Sequence, residues 1–167
     1  MFNKILIAID NSTRSRKVFE AGLFLAKTTG ASLMLLQVLS SQEKNYPSPF
    51  RYYGQESETI DKSMVNVYQQ YWQKLQQEGL ESLKSLTEEA TKAGVKTEFR
   101  QSFGYPGRKI CELAQKWAVE VIIVGNRGVT GLKEMFLGSI SNYVTHHAPC
   151  SVLIVRENVD EPMSAKI

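Results

Sequence analysis

The sequence predicts an α/β domain built on a doubly wound, five-stranded parallel sheet with helices on both faces. Three observations predict it. Short apolar runs alternate with longer segments whose apolar residues recur at helical spacing, which is the order of right-handed βαβ units around a parallel sheet. The run Val121-Ile122-Ile123-Val124 is β-branched without interruption, as strands buried on both faces are. Directly after it, Gly125, Gly128, Gly131 and Gly138 gather four of the eleven glycines into fourteen positions, where a strand's exit needs a tight turn.

Ile5-Leu6-Ile7-Ala8-Ile9 is the first buried strand. Asp10-Asn11-Ser12 ends it and offers caps for a helix, in which Val18, Ala21, Gly22, Leu25 and Ala26 recur at helical spacing. That helix should run to about Thr29, where Gly30 stops it. Residues 32–39 form the second strand. Residues 40–61 are polar, carry Pro47 and Pro49, and interleave Tyr46, Phe50, Tyr52 and Tyr53. They read as a long connection, either a poorly ordered excursion or a segment that packs through its aromatics. From about Ser63 a long helical pattern follows, with a stripe of Trp72, Leu75, Leu83, Leu86, Ala90 and Ala93, bent or weakened at Gly79 and ended by Gly94. The third strand, residues 95–100, is polar and alternating, which suits an edge. Pro106 then opens a helix whose inward face is Ile110, Leu113, Ala114 and Trp117. Cys111 lies beside that face and reads as a core or near-core thiol. The fourth strand, the glycine loop, a helix from about Ser139 to His147 and the strand Ser151–Val155 complete the body.

The length of 167 residues fits one domain, with a long insertion at about 40–61 and a polar tail from about 157. A net charge of +3, with basic residues dispersed among acids, argues against a nucleic-acid partner. No apolar stretch approaches the roughly twenty residues of a bilayer span, and Met1 leads straight into a strand. Two cysteines give no disulfide framework, so the expected address is cytoplasmic.

Five such strands fit the order 3-2-1-4-5, a Rossmann-like sheet. Its order reverses between the first and fourth strands, and ligands bind outside the carboxyl ends there. Those ends are Asp10 and Gly125. The second glycine cluster, Gly138-Ser139-Ile140-Ser141, stands where a helix begins, with Ser139 or Ser141 able to cap it. Free N–H groups at a helix start attract anions. The stretch is therefore a candidate phosphate cradle, with turn-making glycines as the plainer reading. Asp10 reads either as a helix cap or as a carboxylate facing a ribose or a cation, and Arg127 as a phosphate contact or a solvated side chain.

The pattern Gly125-x-x-Gly128, followed after nine residues by Gly138-Ser139, resembles the nucleotide-binding signature of the universal stress protein family. The strand ending in Asp10 and the closing run from Cys150 to Val155 extend the resemblance over most of the chain. It implies the same strand order, with adenine against Val38, Ala8 and Ile9. It also implies that an ATP triphosphate lies along Gly128, Gly138, Ser139, Ile140 and Ser141, with Mg or Mn bound through the phosphates. Asn126 departs from the Ser or Thr usual there, and Ala8 and Asn11 from frequent residues of the first-strand motif.

Catalytic machinery is sparse. No lysine follows a phosphate-loop glycine, and no nucleophile has a base at a telling spacing. His146 and His147 project about 100° apart on a helix, a poor arrangement for zinc. The expected function is an ATP-binding regulatory protein of the stress response with little or no hydrolysis, acting on an unknown protein partner. The alternative is a dimeric interaction module whose nucleotide pocket is vestigial. In either case the apolar edge Ser151–Val155 is expected to pair two copies.

Overall fold

A computed structural model describes residues 2–40, 62–126 and 138–156. In chain order the elements are β1 (Lys4–Ile9), α1 (Ser15–Thr29), β2 (Ser32–Leu39), α2 (Lys62–Lys92), β3 (Thr97–Phe103), α3 (Pro106–Trp117), β4 (Val121–Gly125), α4 (Ser139–His147) and β5 (Ser151–Val155). The five strands pair in parallel in the order β3-β2-β1-β4-β5, as the sequence predicts.

Strand alternation sends side chains to opposite faces, and each face has its own helix pair. Ile5, Ile7, Leu33, Leu35 and Ile123 pack with Phe19 and Ala26 of α1 and with Leu83 and Ala90 of α2. On the other face Leu6, Met34, Leu36, Ile122 and Val124 pack with Ile110 and Ala114 of α3 and Val144 of α4. Cys111 and Cys150 border this second cluster. Burial pushes both thiols up, with Cys111 adding to the effect on Cys150.

The helix ends depart from expectation in two places. Asp10, Asn11 and Ser12 do not cap α1: its N-cap is Arg14, with no side-chain cap bond. Asp10 and Ser12 instead close a turn of their own. Ser139 and Ser141 do not cap α4 either. Gly138 is the N-cap, Ser139 is already the first helical residue, and again no side chain caps the end. The C-terminal glycine does behave as expected: Gly30 has φ +75° and donates its N–H to the Ala26 carbonyl.

The third strand runs later than the polar alternation of 95–100 indicates. Val95 is buried at the exit of α2, and its N–H bonds back to Ala90. Pairing continues through Gln37↔Gln101, Val38↔Ser102 and Leu39↔Phe103. Gln101 and Ser102 carry no apolar signal, yet their backbone completes the ladder with β2. The strand does occupy an edge. Helix α2 runs unbroken through Gly79. This glycine is the point where α2 comes down on the sheet: a Cβ there would lie 2.0 Å from Gln37 Oε1 and 2.8 Å from Gln101 Nε2. The proposed excursion at 40–61 and the tail from 157 fall almost wholly outside the described residues.

Candidate functional site

The carboxyl ends of β1 and β4 lie side by side, as the strand order requires, and a cleft opens at that point. Its lining includes every predicted site residue that the structure describes: Ala8, Ile9, Asp10, Val38, Gly125, Gly138, Ser139, Ile140 and Ser141. Arg127 and Gly128 lie outside the described residues.

The cleft has two chemical halves. Leu36, Val38, Val124 and Ile110 make an apolar wall, which Pro106 at the start of α3 joins. Asp10, Ser12, Ser15 and the start of α4 make a polar one. A flat apolar group and a charged or hydroxyl-bearing group attached to it match such a pair of walls.

The polar half is held by short local bonds. Asp10 Oδ1 accepts from the Ser12 amide at 2.9 Å, from the Ser12 hydroxyl at 2.5 Å and from the Ser15 hydroxyl at 2.7 Å. The Asp10 amide in turn donates to Ser15 Oγ at 2.8 Å. The carboxylate is thus the hub of a turn that joins β1 to α1, which fixes where it stands in the cleft. The Ser141 hydroxyl donates to the Gly125 carbonyl at 3.0 Å. Ser141 is almost wholly buried, so it works as a latch between α4 and the end of β4. What α4 offers the cleft is its backbone. The first amides of a helix have no intrahelical acceptor, and the intrahelical ladder here begins with the Asn142 amide on Gly138, at 2.9 Å. Their partial positive charge favours an anion in front of Ser139, Ile140 and Ser141.

Asn126 also lines the cleft. Its backbone amide donates to the Val155 carbonyl at 2.9 Å, while its Oδ1 is buried without a hydrogen-bond partner among the described residues. Leaving such an acceptor unpaired costs about 1–3 kcal/mol. The structure also adds residues that sequence reasoning did not assign to the site: Ser15 and Arg14, and Pro106 and Ile110 from α3. Arg14 and Ser15 follow closely after Asp10 and were within reach of a local reading. Pro106 and Ile110 carry only a helix-start and core signal, because their place at the cleft follows from α3 packing beside β2. Among the described residues no three His, Cys, Asp or Glu side chains gather as a metal site.

These features define the class: a doubly wound α/β domain whose cleft sits at the switch point, between an apolar wall and an uncapped helix start. Within that class, the model of the universal stress protein family matches residues 1–156. The chain belongs to the universal stress protein family. It is 34% identical over 158 residues to a universal stress protein of Synechocystis sp., covering 93% of this chain and 98% of that one. Among solved structures, a universal stress protein in complex with cAMP superposes with a TM-score of 0.59 at 22% identity, covering 93% of this chain and 97% of the other. One from Archaeoglobus fulgidus in complex with dAMP gives a TM-score of 0.58 at 18% identity, covering 92% and 97%.

Proposed function

We propose that this protein binds ATP in the cleft between β1 and β4 and serves as a regulatory protein of the stress response, with little or no hydrolysis. The observation that carries the proposal is the pairing of an apolar wall with an uncapped helix start across one cleft. In this reading adenine lies on Val38, Ala8 and Ile9, and the phosphates face the amides of Gly138, Ser139, Ile140 and Ser141, with Arg127 and Gly128 completing the cradle. Asp10, held by Ser12 and Ser15, presents its carboxylate toward the ribose or toward a cation on the phosphates. The orphaned Asn126 Oδ1 suits a hydroxyl donor of the same ligand. Two neighbours of the same fold, one in complex with cAMP and one with dAMP, support an adenine nucleotide.

The residues present fit Mg or Mn only through the ligand. Among the described residues Asp10 is the sole carboxylate on the cleft wall, so a cation would be carried by the phosphates, with Asp10 able to contact it directly or through water. Bound there, it would neutralise phosphate charge. No lysine and no positioned base stand on the described wall, which supports slow turnover.

We assign the working form as a cytoplasmic homodimer joined at β5, which has β4 as its neighbour on one side and a sheet edge on the other. Mass spectrometry of small molecules released from natively purified protein, followed by calorimetric titration of the stripped protein, tests the assignment. Release of ATP and its rebinding are expected. Absence of both would leave a dimeric interaction module with a vestigial pocket, and rapid steady-state hydrolysis would overturn the regulatory reading.

A further inference from the structure

Gln37 is a polar residue in the middle of an apolar strand, 2% exposed. A buried carboxamide is costly unless its donors and acceptors are met, and here both ends are met by specific partners. Gln37 Nε2 donates to Asn11 Oδ1 at 2.6 Å. Gln37 Oε1 accepts from Nε2 of Gln101, its cross-strand neighbour, at 2.8 Å. Gln101 Nε2 also reaches the Gln76 carbonyl in α2 at 3.1 Å. Gly79, one turn along the same helix, leaves the space in which this chain of amides lies. The relay thus runs from the loop after β1, beneath the sheet's carboxyl end, to β3 and α2.

Only one end of the relay reaches the cleft. Asn11 sits between Asp10 and Ser12, which both line it. The internal bonds of that turn, Asp10 with Ser12 and Ser15, tie it to the start of α1, but none of them reaches β2. The bond from Gln37 supplies a side-chain anchor from the core. A core leucine at 37 would bury more apolar surface without any directional hold on the loop.

We propose that Gln37 is a positioning residue of the nucleotide site, acting through Asn11 to hold the Asp10–Ser12 turn against the cleft. The inference rests on the ATP-binding reading above and extends it to a residue that touches no ligand. Gln37→Met keeps the length of the side chain and removes both hydrogen bonds. Asn11→Ala removes only the loop end and alters a surface residue, so it keeps the test alive if the core variant does not fold. Calorimetric titration with ATP and Mg is expected to show each variant weakened about tenfold, the loss of one oriented contact. The double variant should bind no more weakly than either single one, because both changes cut the same connection. In the ligand-free proteins, hydrogen exchange at residues 10–15 should quicken in both variants while residues 138–141 keep the wild-type rate. Wild-type affinity in Gln37→Met, or losses that multiply in the double variant, would overturn the positioning role. If wild-type protein binds no ATP, the nucleotide reading fails by itself. The exchange measurement then still decides: unchanged rates at residues 10–15 in Gln37→Met refute the anchor.

Discussion

Gly138 stands at the start of α4 with φ −58° and ψ 157°, an extended conformation open to any residue. A side chain is therefore admissible to the backbone there, and what it would obstruct is the approach of a ligand to the helix amides. Gly138→Val is expected to fold and to bind ATP about tenfold to a hundredfold more weakly, the worth of one hydrogen bond to a charged group. Circular dichroism checks the first half and calorimetry the second. Gly79 poses the opposite case. Alanine raises helix propensity by about 1 kcal/mol, but its Cβ would press 2.0 Å from the Gln37 oxygen, inside a bonded network that has no slack. Overpacking of about 1–3 kcal/mol outweighs the gain. Gly79→Ala should lower the urea midpoint of unfolding. Neither position was readable in this way from sequence. Gly138 was recognised through its spacing from Gly125 and Gly128, but Gly79 looked like a flaw in a helix because its reason lies on two strands, one of them more than forty residues upstream. Gln37 likewise hides within an apolar run, its partners Asn11 and Gln101 coming from two separate segments.

At the scale of elements, α1 and α2 share one face of the sheet and are clasped at the surface. Arg16 Nη1 and Nη2 bond the two oxygens of Glu89 at 2.6 and 2.7 Å, while its Nε bonds Glu20 at 2.7 Å. The hydrogen bond from Arg16 holds the Glu89 carboxyl below its ordinary value of 4.5. A carboxylate with a depressed folded-state pKa contributes stability that is present above the unfolded-state value and is lost as pH falls through the folded one. Both side chains are half exposed, so the effect is small. The difference in Tm between wild type and Glu89→Gln should be widest above pH 4.5 and should close in more acidic buffer, as scanning calorimetry across that range can show. The elements themselves were largely visible in sequence, since apolar period and glycine or proline punctuation marked every strand and helix. Their ends were less so. Serine favours the N-cap, so the sequence offers Ser139 or Ser141 there, whereas the structure places Gly138 at the cap and spends Ser141 on the Gly125 carbonyl. β3 extends past its alternating stretch because ladder bonds depend on the partner strand rather than on side-chain polarity.

For the whole molecule, the strand order follows from the alternation of elements and from the handedness of their crossovers, which is why the cleft at Asp10 and Gly125 could be placed from sequence. At this scale β5 bears on the assembly. Leu153 on this edge strand is 41% exposed, and its outer backbone groups form a template for another strand. Light scattering at micromolar concentration should give the mass of a dimer. Leu153→Asp, which sets like charges against each other across a twofold pairing, should shift the mass to that of a single chain.

The parallel sheet also dictates an order of events. β1 lies at its centre, with β2 on one side one helix away in sequence and β4 on the other, paired as Ile5↔Val121. The first side can close early, since α1 brings β2 back to β1 through a short loop. The second must wait until β4, Val121–Gly125, is available, and closing so long a loop is entropically slow. During synthesis on the ribosome, the nascent chain therefore carries an apolar strand with one bare flank until β4 has emerged.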